Sequence, residues 1–206
     1  VQTCALPICK KQLQLLTWWR TDSPYRDFDI VIADGSIRSG KTVSMALSFT
    51  LWAMEEFDGQ NFAICGKTIH SARRNVVQPL KQMLSSRGYK IEDVRNENLL
   101  VIAHKVNGKE VINYFHIFGG KDESSQDLIQ GITLAGIFCD EVALMPESFV
   151  NQATGRCSVF GSKMWFSCNP SNPNHYFKKQ WIDQAVQKRI LYLHFTMRSE
   201  ERRVGK

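Results

Sequence analysis

Gly35-Ser36-Ile37-Arg38-Ser39-Gly40-Lys41-Thr42 is a complete G-x-x-x-x-G-K-[ST] loop, and its flanks decide the fold. Before it, residues 28–33 (Phe-Asp-Ile-Val-Ile-Ala) are short, apolar and β-rich. After it, residues 43–52 are good helix formers with no Gly or Pro. A loop between a strand and a helix turns backbone N–H groups inward and points the positive end of the helix dipole at the same place. A phosphate fits there. Residues 35–42 would cradle the phosphates of a nucleoside triphosphate such as ATP, with Lys41 reaching the β- and γ-phosphates and the Thr42 hydroxyl serving as a Mg²⁺ ligand. A Gly-rich strand-to-helix turn without a ligand needs no Lys-Thr pair after its second glycine.

The chain is long enough, at 206 residues, for one well-cored domain and short for two. Its composition, 43% apolar and 22% charged, is that of ordinary globular proteins. No window approaches the roughly 18 uncharged apolar residues of a membrane span, so no membrane association is expected. The apolar stretch 4–9 is too short, and lies on the wrong side of the nearby charges, for a secretory signal. Six cysteines (Cys4, Cys9, Cys65, Cys139, Cys157 and Cys168) are scattered with no C-x-x-C pair, which favours buried free thiols over disulfides or zinc. A net charge of +6 permits a polyanionic partner without demonstrating one.

Further along, strand and helix patterns alternate. Helices are expected at 10–20, from the loop to about 57, at 69–87, 146–159 and 174–186. Strands are expected at 28–33, 61–66, 98–104, 110–118, 134–139, 163–168 and 190–195. Asn107-Gly108, between two alternating stretches, is a hairpin turn signal. The pattern predicts an α/β fold with a mostly parallel central sheet flanked by helices and an antiparallel hairpin added at its edge.

Two more pieces of a nucleotide site follow in order. Ile137-Phe138-Cys139 ends in Asp140-Glu141, an apolar strand delivering two carboxylates. Asp140 is placed to hold Mg²⁺ and Glu141 to orient and deprotonate a water attacking the γ-phosphate. Trp165-Phe166-Ser167-Cys168-Asn169-Pro170 is a strand ending in polar side chains and stopped by Pro. Asn169, with Ser167 as a lesser candidate, would sense the γ-phosphate. Having the 61–66 strand between the loop and the acidic pair is the order of P-loop ATPases whose catalytic Glu adjoins the metal Asp.

Taken with Lys11-Gln12, Trp18-Trp19, Asp34 before the loop, residues 119–125 (Gly-Gly-Lys-Asp-Glu-Ser-Ser) and Val142-Ala143, these motifs resemble the ATPase domain of a tailed-phage terminase large subunit. The likeness runs from about residue 11 to 195 and is nearest to the group found in prophages of Gram-positive bacteria. It implies a P-loop NTPase fold of the RecA-like (ASCE) type over 10–197, with 1–9 and 198–206 as non-native or disordered flanks. It implies a motor that uses ATP and Mg²⁺ to drive double-stranded DNA through a portal into a procapsid, in the host bacterial cytoplasm. The expected partners are DNA, the portal protein, the terminase small subunit and further copies of the motor in a ring.

By the same resemblance Gln12 reads the adenine edge, Arg38 lies against the γ-phosphate, and Asn169 couples hydrolysis to movement. An arginine finger from a neighbouring subunit is expected in a ring motor, but Gln130-Gly131 stands where relatives carry a basic residue. Arg73 and Arg156 are weak substitutes. The family's nuclease domain has no counterpart here, so no endonuclease activity is expected. Basic pairs at Lys10-Lys11, Arg73-Arg74 and Lys178-Lys179 could touch DNA phosphates. The alternatives are a helicase-like translocase, which should carry a second RecA-like half, and a nucleotide switch, which has no need of Glu141.

Overall fold

The computed structural model describes residues 9–35, 40–121, 127, 129–169, 172 and 174–195. The strands are β1 (Ile30–Gly35), β2 (Asn61–Gly66), β3 (Lys90–Val94), β4 (Leu99–Val106), β5 (Lys109–Gly119), β6 (Gly136–Cys139), β7 (Lys163–Cys168) and β8 (Ile190–Phe195). The helices are α1 (Lys10–Thr17), α2 (Lys41–Glu56), α3 (Ile69–Ala72), α4 (Gln78–Ser85) and α5 (Glu147–Gly155). All eight strands share one sheet, in the order β3-β4-β5-β2-β6-β7-β1-β8. From β5 to β8 every neighbouring pair is parallel, whereas β3 and β4 add on antiparallel. The expected α/β class with a mostly parallel sheet is the observed one.

This order has a direct consequence for the site. β7 lies between β1 and β6, so the segments that leave the C-terminal ends of these three strands emerge side by side. In open parallel sheets that edge is where ligands bind.

Burial on both faces explains why the central strands read as unbroken apolar runs. Side chains alternate between two cores: Val31, Phe138 and Trp165 face one way, Ile32, Ile137 and Phe166 the other. The first core is aromatic. Trp165 meets Trp18, Phe49 and Trp52 with ring centroids 5.0, 5.2 and 4.9 Å away. Its indole N–H donates to Ser48 of α2 at 3.2 Å, and Ser48 donates to the Leu15 carbonyl at 2.6 Å. These two bonds tie α1 and α2 to the strand between β1 and β6. On the opposite face, α5 and the 176–185 stretch bury Phe149, Phe177 and Trp181.

Several local expectations are corrected. The first helix stops at Thr17, where Arg20 N–H closes a tighter turn on the Thr17 carbonyl at 3.1 Å and Trp18 and Trp19 turn into the core. The 69–87 helix is broken: α3 and α4 are joined by a wide turn, Arg73–Val77, in which Gln78 N–H bonds back to the Arg73 carbonyl. Pro79, second residue of α4, lacks the N–H and crowds the carbonyl four residues back, so a regular helix could not run through it. The 174–186 stretch is likewise irregular and holds a wide turn at Lys178–Ile182. The edge addition is larger than a hairpin, because the charged strand β3 pairs with β4. The β4–β5 turn is as expected, with Asn107 and Gly108 both left-handed at φ 52° and 84°. The segments 1–8 and 196–206 lie outside the described residues.

Candidate nucleotide site

The loop is anchored at both ends by its glycines. Gly35, with φ 114°, closes β1 so tightly against β8 that a Cβ there would stand 1.9 Å from the Phe195 carbonyl oxygen. Gly40, at φ 71°, begins α2 in the left-handed conformation with no side-chain cap. The first N–H groups and the dipole of the sixteen-residue α2 therefore face the loop. Ser36, Ile37, Arg38 and Ser39 lie outside the described residues.

Lys41 and Thr42 are the first two residues of α2. Lys41 is buried, and its ammonium donates to the Gly35 carbonyl across the base of the loop. Burial pushes its pKa below the ordinary 10.5, against the opposing pull of Cys168, Asp34, Asp140 and Glu141. The Thr42 hydroxyl donates to Asp140 Oδ1 at 2.9 Å.

Asp140 is buried directly after β6, and its N–H donates to the Cys65 carbonyl of β2 at 2.8 Å. Ser167 of β7 adds a second donor to the same carboxylate oxygen at 2.7 Å. The Ser167 oxygen also accepts the Glu141 N–H at 3.0 Å. Thus one hydroxyl fixes both the aspartate side chain and the glutamate backbone. Glu141 is exposed and left-handed, at φ 55° and ψ 48°, a conformation that costs a non-glycine residue roughly 1–2 kcal/mol. Such local strain is typical of residues held for chemistry.

Asn169 follows β7 immediately and is exposed at its tip, beside β6. Gln12 sits where α1 meets the loop. Its amide accepts the Cys9 N–H at 2.9 Å, and its Nε2 lies 3.1 Å from where a Cβ on Gly40 would stand. Gln12, Gly35, Gly40, Lys41, Thr42, Asp140, Glu141 and Asn169 therefore gather at one end of the sheet. Arg156 does not join them: its carbonyl accepts Leu134 N–H at 2.9 Å, just ahead of the N-terminal end of β6. Arg73 is engaged elsewhere, by Asp93. Gln130 bonds Asp127 at 2.9 Å.

A further cluster, with no counterpart among the sequence motifs, surrounds Asp34. This buried carboxylate accepts the Tyr192 hydroxyl at 2.7 Å and bonds His194 Nδ1 through its other oxygen. Lys11 Nζ donates to the His194 carbonyl at 2.5 Å, so α1, β1 and β8 are latched together beside the loop. Burial and the bond to Asp34 push the Tyr192 phenol up, keeping it a donor. Two polar side chains in alternate positions of an otherwise apolar strand, Tyr192 and His194, were the available signal.

The five described cysteines are free thiols. Burial, reinforced by Asp34, pushes Cys168 up to about 12, so it is neither a nucleophile nor a thiolate ligand at neutral pH. Among the described residues no three or more His, Cys, Asp or Glu side chains are grouped to hold a metal ion. The oxygens of Thr42 and Asp140 are instead hard donors of the kind Mg²⁺ takes when substrate phosphates and water complete its shell. No described helix is long and apolar enough to cross a membrane.

Comparison with known proteins agrees with this architecture. Residues 32–202 match the model of a family described as terminase large subunit, T4likevirus-type, N-terminal. The large terminase of a thermophilic bacteriophage is 58% identical with a TM-score of 0.89, over 97% of this chain and 48% of that one. The same terminase in complex with ADP matches at 58% identity and a TM-score of 0.88, over 95% and 47%. The ATPase domain of the large terminase of Thermus phage P74-26 shares the fold, with a TM-score of 0.59 at 16% identity over 82% and 76%. No curated protein matches. The chain spans about half the length of the terminase with which it shares 58% identity. With a family model over most of its length and a solved relative at this identity, the chain belongs to the terminase large subunit family, in its N-terminal, ATPase part.

Proposed function

We propose that this chain is the motor half of a DNA-packaging machine, hydrolysing ATP to drive double-stranded DNA through a portal into a procapsid. The observation that carries the reading is the 2.9 Å contact between the Thr42 hydroxyl and Asp140, which joins the loop to the acidic strand. A Mg²⁺ ion held by Thr42 and Asp140 would neutralise charge on the β- and γ-phosphates. Backbone amides of residues 35–42 and the Lys41 ammonium would bind the same phosphates, with Arg38 against the γ-phosphate and the Gln12 amide at the adenine edge. Glu141, exposed and held in its left-handed turn, would align the attacking water and take its proton. Asn169, at the tip of the intervening strand, would register the γ-phosphate. The thermophilic-bacteriophage terminase in complex with ATP-gamma-S, 56% identical over 94% of this chain, supports nucleotide binding by the shared fold.

The remaining partners are those that the family resemblance implies. The portal, a small subunit and further motor copies in a ring would act in the host bacterial cytoplasm, and a prophage of a Gram-positive host fits the sequence likeness. We assign 10–197 to the motor domain. Its ATP hydrolysis is expected to rise with duplex DNA and portal and to lose that stimulation as salt is raised. Phosphate release measured with and without each partner, from low to high salt, tests this. A rate indifferent to all of them would favour a nucleotide switch over a translocating motor.

A further inference from the structure

A groove of about 480 Å³ opens between the α3–α4 segment and the edge strand β3, away from the nucleotide loop. Arg73, Arg74, Lys81 and Arg95 line it, against a single carboxylate, Asp93. Asp93 Oδ1 accepts from Arg73 at 2.9 Å and Oδ2 from Lys81 at 2.9 Å, while Arg95 stands 3.8 Å from Oδ2. A structural ion pair needs one cation. Here three surround one largely covered carboxylate and a fourth shares the groove, so positive charge is in excess among its lining residues. Burial alone would raise the Asp93 carboxyl. Hydrogen bonds from Lys81 and Arg73 outweigh it and hold the pKa below the ordinary carboxylate range, so Asp93 stays an anchor.

The cations are also positioned in advance. Asn98 holds a second nitrogen of Arg73 at 3.3 Å, fixing the guanidinium before any ligand arrives. Arg73 and Arg74 both belong to the wide turn forced by Pro79, and such turns recur at functional sites. Arg74 is exposed, and among the described residues its guanidinium bonds locally, to Asn75 at 3.1 Å. His70 is the one aromatic ring in the lining, which has no Phe, Tyr or Trp to make a stacking platform for successive bases, and this favours a duplex backbone over a single strand.

We propose that this groove grips the phosphodiester backbone of double-stranded DNA, as a contact site separate from the nucleotide loop. The choice of DNA as the polyanion rests on the packaging reading above. A contact made to phosphate oxygens positions the duplex without reading its bases, so the grip is independent of base sequence.

The test is the affinity of the full chain for a labelled 30-base-pair duplex across a range of NaCl concentrations, without nucleotide. Arg74→Gln combined with Arg95→Gln removes two groove cations and spares the Arg73–Asp93–Lys81 lock. The slope of log affinity against log salt should become shallower by about 2. Lys188→Gln, an exposed cation over Trp181 on the opposite face of the sheet, should leave the slope unchanged. Equal slopes for the wild type and the double variant would overturn the proposal, as would an equal loss in Lys188→Gln. Displacement of the duplex by inorganic phosphate at matched ionic strength would also overturn it, marking a small-anion site. Preference for a 30-nucleotide single strand would contradict the duplex assignment. Basal ATP hydrolysis separates the two readings: the groove variant should keep it, and its absence in the wild type would fail the motor reading, not the groove.

Discussion

Glu141→Gln should abolish ATP turnover while leaving ATP affinity essentially unchanged. The amide is isosteric, and what fixes the residue is its backbone: the N–H bond to Ser167 and the left-handed turn, both kept in the variant. Only the carboxylate proposed to accept the proton is lost. General-base catalysis contributes about 10²–10⁴-fold, so phosphate release should fall by that order while a fluorescent-nucleotide titration stays near wild type. Near wild-type turnover would show that another group activates the water.

Lys41→Ala should weaken both steps. A hydrogen bond to a charged group contributes about 1.5–3 kcal/mol, so ATP affinity should drop roughly 10- to 150-fold and turnover should fall with it. Unchanged affinity in the same titration would remove Lys41 from the phosphate site. The charge also carries a pH signature. Because burial depresses the folded-state pKa of Lys41, the empty protein holds a buried ammonium at a cost that is relieved as pH rises through that lowered value. Bound phosphates need the charged form. Nucleotide affinity should therefore decline on the alkaline side at a pH below the ordinary 10.5, over the range where the stability of the empty protein rises. Lys41→Ala should show neither trend.

The sequence made the site far more legible than its surroundings. Loop, acidic pair and the Ser167–Asn169 strand end each close a run of apolar residues buried on both faces, a pattern that periodicity and length reveal together. Their adjacency depended on strand order, which spacing constrains only through the order of motifs. β3 escaped notice because Lys90, Glu92 and Asp93 interrupt it, the charge that edge strands carry to discourage further pairing. Pro79 announced the break in the 69–87 helix and could have been read as such. The wide turn at 178–182 has no comparable residue. It places Phe177 and Trp181 5.6 and 5.3 Å from Phe166, a tertiary arrangement that no local pattern encodes. The Asp34 cluster was hidden for a similar reason, since Tyr192 and His194 reach Asp34 only once β8 lies beside β1.

At the centre of the account is a Mg²⁺ ion shared by Thr42 and Asp140, and the magnesium dependence of ATP hydrolysis tests it most directly. Thr42→Ala, Asp140→Asn and the double variant should be titrated with Mg²⁺ at saturating ATP. Each single variant should raise the half-maximal Mg²⁺ concentration by about tenfold or more, and the double should exceed the worse single only slightly, because both act on one ion. An unchanged Mg²⁺ requirement in either single variant, or losses that multiply in the double, would contradict a shared ion.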